Sequence, residues 1–140
     1  MHEGSCLCGA VRFSVKGPLP EGSACHCSLC RKSSGAHEMG IDVDKAAVSI
    51  SGAEHVSWYA SSAKVRRGFC STCGSPMFFD PLEGDWIGLH LGSFDGPTGV
   101  RIAKHIFVGD KGDYYEICDG APQFETVPGA LGKHPHPASP

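Results

Sequence analysis

Hydrophobic and polar residues alternate along most of this chain with the two-residue period of half-buried strands. Val11, Phe13 and Val15 are separated by Arg12 and Ser14, and Met39, Ile41 and Val43 repeat the pattern, as do Val48 and Ile50 around Ser49. Val56, Trp58 and Tyr59 predict a further strand. Phe69 leads into Cys70, and Met77, Phe78 and Phe79 lead away from that region. Ile87, Leu89 and Leu91 put one apolar face opposite Trp86, Gly88 and His90, and Ile102, Ile106 and Val108, with Lys104 on the same side, predict a last strand. Turn signals at Gly17-Pro18-Leu19-Pro20, Ser51-Gly52, Glu83-Gly84 and Asp110-Lys111-Gly112 separate these runs. A short helical turn is expected only from Ser28 to Ser34. The pattern predicts an all-β domain over residues 1–127, with no internal repeat. From Pro128 the chain is rich in Pro, Gly and small residues, which predicts a flexible tail over residues 128–140. His134 and His136 in that tail read as an exposed pair rather than as metal ligands.

Composition narrows the class. A chain of 140 residues is one domain with a modest core. Nineteen glycines favour tight turns and short strands over long helices. A formal net charge of −3 offers no basic field for nucleic acid, and no apolar run approaches the ~20 residues needed to span a bilayer. The N-terminal MHEGSCLCGA has neither a basic nor an apolar leader region, so the expected compartment is the cytoplasm, where thiols stay reduced.

The eight cysteines then carry most of the chemistry. Cys6 and Cys8 form C-x-C, Cys25, Cys27 and Cys30 form C-x-C-x-x-C, and Cys70 and Cys73 form C-x-x-C. Tight clusters wrap a metal ion, whereas a disulfide framework spreads its cysteines to close long loops. Soft thiolates in a tetrahedron select zinc or an iron–sulfur cluster, and the usual iron–sulfur spacings do not occur. Gly9 follows Cys8 and Gly74 follows Cys73, which lets the chain turn and aim backbone N–H groups at sulfur. Cys6, Cys8, Cys70 and Cys73 therefore make a closed structural zinc site that staples the N-terminus to the middle of the chain. Cys25, Cys27 and Cys30 supply three ligands. A structural zinc takes four protein ligands and a catalytic zinc keeps a position open. His26, His37 or Cys118 could close this site, so spacing leaves it undecided between open and closed.

Three segments carry a resemblance: GSCLCGAVRF at residues 4–13, ACHCSLCRKSSGA at 24–36 and RGFCSTCGSPMFF at 67–79. Together they resemble the glutathione-dependent formaldehyde-activating enzyme family, also called the GFA/CENP-V domain family, over about residues 4–124. The closing HIFVGDKGDYYEICDGAPQF is similar to that family's C-terminal segment. The resemblance implies an Mss4-like fold of twisted antiparallel sheets held by zinc-binding cysteine knuckles. It implies two zinc ions per chain, a structural one on Cys6, Cys8, Cys70 and Cys73, and a catalytic one on Cys25, Cys27 and Cys30 with an open position. The activity it implies is that of a carbon–sulfur lyase, joining glutathione and formaldehyde to S-hydroxymethylglutathione or acting on a related glutathione adduct.

That chemistry suits an open zinc, because a free thiol has a pKa of ≈ 8.5 and a bound dication deprotonates it. Glutathione carries two carboxylates, so cations are expected at the pocket. Arg31 is the first choice for its fork of donors, with Lys32 beside it, and Lys64, Arg66 and Arg67 precede Cys70. Each of these also reads as a solvated surface charge. Trp58, Tyr59, Trp86, Tyr114 and Tyr115 are core or rim aromatics, of which one or two would wall a pocket. The competing function is a non-catalytic zinc scaffold or interaction module with both ions structural. No seam in the sequence sets the oligomeric state, and the second zinc site, the more exposed and reactive in this reading, is the one expected to lose its metal or be found empty. Seven thiolates on two zinc ions would make the chain more acidic by about −3.

Overall fold

The computed structural model describes residues 1–127, so the expected tail, with His134 and His136, lies outside the described residues. Two β-sheets face each other. The smaller joins β1 (His2–Ser5), β2 (Arg12–Val15) and β5 (Val48–Ser51) in the order β1-β2-β5, all antiparallel. The larger contains β3 (Gly22–Cys25), β4 (Glu38–Asp44), β6 (Val56–Ala60), β7 (Val65–Cys70), β8 (Pro76–Pro81), β9 (Trp86–His90) and β10 (Ile102–Ile106). Its strand order is β10-β3-β4-β9-β8-β7-β6. One α-helix, α1 (Ser28–Ser34), follows β3 as expected.

The alternating residues do what their period requires. Phe13 and Val15 of β2 and Ile41 and Val43 of β4 turn inward with Met77, Phe78, Ile87 and Leu89 to form the main core. Phe13 sits at its centre, edge-on to Phe78 at 6.0 Å and to Phe94 at 5.1 Å between ring centroids. Cys6 and Cys70 belong to the same buried cluster. A second, smaller core packs Cys25, Cys27 and Cys30 against Ile106 and Phe107, with Leu29, Phe124 and Val127 at its margin.

Three features depart from the strand pattern. β1 and β3 read HEGS and GSAC, with too few apolar residues to show alternation, and their pairing comes from neighbours already in place. The larger sheet is antiparallel except where β10 runs parallel to β3, a long-range pairing that local pattern cannot encode. Val108 is not in β10: Phe107 takes a left-handed φ of 55°, which ends the strand, and Val108 enters a 3-10 turn. The open side of β10 is covered by residues 122–126. His105 N–H donates to Pro122 O, Phe124 N–H to His105 O and Phe107 N–H to Thr126 O, at 2.8–2.9 Å.

Gly9 and Gly52 separate conformational strain from crowding. Both hold left-handed φ values, 80° and 74°, but a Cβ on Gly9 meets open space while one on Gly52 lands 1.9 Å from Ala10 O. Gly9→Ala should cost about 1 kcal/mol in urea denaturation, the backbone penalty alone. Gly52→Ala should cost at least about 3 kcal/mol, because backbone must move as well. Equal costs would show that the β2–β5 connection is looser than described.

Candidate functional site

The first cysteine group is built from two similar turns. Cys6 and Cys8 follow β1, and Cys70 and Cys73 close β7. In each turn the chain folds back on itself, with Gly9 N–H donating to Cys6 O (3.1 Å) and Gly74 N–H to Cys70 O (2.8 Å). Gly9 and Gly74 take φ values of 80° and 78°, as the sequence required of them. The four Sγ atoms lie within 4.8 Å of one another. Cys6 and Cys8 are 3.6 Å apart and Cys8 and Cys70 3.8 Å apart. Sulfurs at the ≈ 2.3 Å bond length of a zinc tetrahedron would be separated by about 3.8 Å, which these two separations match, so the donor set fits the ion. Polar groups also point at the sulfurs: Val11 N–H at Cys6 (3.3 Å), Thr72 N–H at Cys70 (3.4 Å) and the Ser75 hydroxyl at Cys73 (3.2 Å). Ser75, through its hydroxyl and its backbone N–H, pulls the Cys73 thiol down to about 5.

The second group is more deeply set. Cys25 ends β3, Cys27 caps the N-terminus of α1 by accepting from Cys30 N–H (3.4 Å), and Cys30 lies in the helix's first turn. The three sulfurs lie within 4.8 Å of one another and all three residues are buried. Gly35, at φ 94°, ends α1 by donating to Arg31 O at 2.8 Å. None of the three residues expected as a fourth ligand joins this group. Cys118 is exposed. His26 spends both ring nitrogens elsewhere, on Tyr115 and His105, and the His37 ring lies over His26 and Tyr115.

Those contacts form a directed chain. Asp119 accepts from His105 Nε2–H at 2.8 Å, and its own pKa is lowered by that bond. His105 Nδ1 must then accept from His26 Nε2–H, also at 2.8 Å, and His26 Nδ1 from the Tyr115 hydroxyl. His26 is fully buried; that burial, and then His37 and His105 beside it, lowers its pKa to about 4. The chain fastens the segment holding Tyr115 and Asp119 to the turn that carries Cys25 and Cys27.

On the other side of the thiols lies a charge network that the strand pattern concealed. Arg67, on β7, is buried: its Nη2 approaches Cys30 Sγ at 3.6 Å and its Nη1 donates to Glu38 Oε2 at 2.7 Å. Glu38, at the start of β4, pairs through its other oxygen with His90 Nε2 at the end of β9. Burial opposes the Glu38 charge but is outweighed by the His90 hydrogen bond and the charges of His90 and Arg67, and its pKa falls to about 2. Burial likewise opposes the Arg67 charge, and Glu38 and Cys30 more than restore it.

Three depressions converge here. A shallow groove of about 690 Å³ runs past Cys6, Ser34, His37, Glu38, Ser75 and His90. A small pocket of about 50 Å³ reaches Cys25, Cys30, Glu38, Leu89, His90 and Ile106. A third, of about 280 Å³, is walled by Tyr59, Arg67, Phe69, Glu38 and His90. Glu38 and His90 line all three. Of the cations expected to meet a carboxylate ligand, Arg67 reaches this region. Arg66 instead pairs with Asp80 (2.7 Å) and stacks on Trp58, and Lys64 is exposed. Arg31 and Lys32 line none of the three depressions; Arg31 is half-buried on α1 and Lys32 is exposed. Among the described residues, no helix is long and apolar enough to cross a membrane.

Two facing β-sheets carrying a four-thiol group and a three-thiol group define a metal-site β protein. The model of the glutathione-dependent formaldehyde-activating enzyme family matches residues 1–110, and the chain belongs to that family. It is 35% identical, over 82% of its length and 80% of the relative's, to a Halomonas elongata protein provisionally named a glutathione-dependent formaldehyde-activating enzyme. It is 30% identical, over 88% of its length and 90% of the relative's, to an uncharacterized lyase of Schizosaccharomyces pombe. A crystal structure of a Rhodobacter sphaeroides protein superposes with a TM-score of 0.58 at 25% identity, covering 68% of this chain and 89% of that one.

The neutrality of His26 has a measurable consequence. A histidine whose folded pKa is lowered from 6.5 to about 4 leaves the unfolded chain to take up a proton the folded chain refuses. Its stability contribution is complete above pH 6.5 and is lost as pH falls towards 4. Urea denaturation between those pH values should show the wild type losing about 3 kcal/mol more than His26→Gln does. Equal losses would mean that His26 does not stay neutral in the folded protein.

Proposed function

We propose that this chain is a zinc-dependent carbon–sulfur lyase that joins glutathione to formaldehyde, or acts on a closely related glutathione adduct. The observation that carries this reading is the three-thiol group with no fourth ligand within reach among the described residues, Cys25 and Cys30 lining the small pocket that shares Glu38 and His90 with the larger groove. The names of the two relatives point the same way. Cys6, Cys8, Cys70 and Cys73 would hold a structural zinc, and Cys25, Cys27 and Cys30 a second one with a position left for substrate. When bound there, zinc supplies a dication that favours the thiolate form of an incoming thiol.

The residues of the chain do the remaining work. Arg67 places a permanent positive charge 3.6 Å from Cys30 and offsets part of the negative charge of three thiolates. The groove has the volume of ordinary small-molecule sites, about 300–1,000 Å³, and suits a tripeptide thiol. The small pocket behind Cys25 and Cys30 has room for a few heavy atoms, which suits a one-carbon aldehyde. Holding the two reactants side by side adds a proximity contribution to the rate. Arg31 and Lys32 remain the proposed contacts for glutathione's carboxylates where the tripeptide extends beyond the groove.

Metal analysis and calorimetry on one pair of proteins test this. The wild type should carry two zinc ions per chain and bind glutathione. Cys27→Ser should keep the four-thiol zinc, lose the other, and lose both glutathione binding and turnover. A two-zinc wild type that takes up no glutathione would leave the zinc scaffold as the better reading, and full turnover by Cys27→Ser would remove the second site from the reaction.

A further inference from the structure

We propose that His90 is the proton carrier of this reaction, taking the thiol proton of the substrate and returning it to the aldehyde oxygen. The proposal rests on the lyase reading above and adds to it the residue that moves the proton. Joining a thiol to an aldehyde requires one proton to change place. The S–H proton leaves sulfur, a carbon–sulfur bond forms as the C=O π pair moves onto oxygen, and a proton is added to that oxygen. Nothing is oxidised or reduced. The site must therefore hold one proton for the interval between the two transfers, within reach of both reactants.

His90 is placed for this. It lies at the end of β9 and lines the groove, the small pocket and the depression beside Arg67. Its Nε2 is engaged by Glu38, which fixes the ring, and its Nδ1 makes no hydrogen bond among the described residues. A neutral His90 donates Nε2–H to Glu38 and keeps the Nδ1 lone pair free to accept, on a residue that lines the groove. Once protonated at Nδ1, the imidazolium faces a carboxylate that is itself held in place by Arg67 at 2.7 Å. This is the arrangement by which a buried carboxylate orients a histidine base and stabilises its charged form.

The other proton-handling groups nearby are committed elsewhere. Both oxygens of Glu38 are engaged, one by Arg67 and one by His90. Both ring nitrogens of His26 are bonded, to Tyr115 and to His105. The Tyr115 hydroxyl is bonded to His26, and Tyr115 lines none of the three depressions. His37 borders the groove, but among the described residues its Nδ1 is buried without a hydrogen-bond partner and no carboxylate is paired with its ring to stabilise a positive charge.

Calorimetry of glutathione binding in two buffers of different ionisation enthalpy counts the protons released near pH 7.5 without depending on turnover. The zinc-loaded wild type should release close to none, because the thiol proton moves to His90. His90→Gln should keep two zinc ions and bind glutathione with release of about one proton. Its catalysed rate, above the spontaneous reaction, should fall by about 10²- to 10⁴-fold. A wild type that releases a full proton, or a variant with unchanged proton count and turnover, overturns the assignment of His90. Loss of zinc in the variant overturns it too, by giving His90 a structural role. A wild type that binds no glutathione fails the lyase reading instead.

Discussion

Seven thiols are brought within a few ångströms of one another in two groups, and the rest of the molecule is arranged around that crowding. Sulfurs 3.6–3.8 Å apart can be ionised together only if a cation sits among them. The four-thiol group joins the turn after β1 to the turn that closes β7, so it links the small sheet to the large one. Cys6 and Cys70 belong to the same buried cluster as Phe13, Phe78 and Leu89, and the proposed metal clamp and the apolar core form one body. A glycine-rich chain with short strands gains from such a cross-link what a larger core would otherwise have to supply.

The three-thiol group is treated differently by its surroundings. The first group is met mainly by N–H and hydroxyl donors from its own turns. The second is flanked by a full charge, Arg67, balanced in turn by Glu38, which is tied to His90. Three strands, β4, β7 and β9, each contribute one member, and the sheet fixes their spacing. On the opposite side the Asp119–His105–His26–Tyr115 chain fastens the C-terminal segment to the turn carrying Cys25 and Cys27. One group thus gathers four thiols from its own two turns, while the other gathers three, is braced from two sides and borders the small pocket.

Much of this was legible in the sequence because it is local. The cysteine spacings identified both groups, Gly9 and Gly74 announced the turns beside the first, and alternation at residues 11–15, 39–43 and 87–91 located core strands. What stayed hidden depends on contacts far along the chain. β1 and β3 have small, polar sequences and exist because of their partners. Arg67 read as one of several surface cations, and the register of β7 against β8 and β4's place in the sheet bring it inside. His90 read as the polar side of a strand, and only the β4–β9 pairing sets it beside Glu38. His26 and His37 were natural candidates to complete the second group by proximity, but His26 is bonded to Tyr115 and His105, and the His37 ring packs on His26 and Tyr115.

Zinc K-edge absorption on the purified protein tests the open second site most directly, since it counts sulfurs around the metal. Two zinc ions, one with four protein sulfurs and one with three, give an average of about 3.5 sulfurs per zinc at about 2.3 Å, with about half a lighter scatterer. Glutathione should raise the average towards four and remove the lighter scatterer. Four sulfurs per zinc before any glutathione is added, unchanged by its addition, would contradict an open site and make both metals structural.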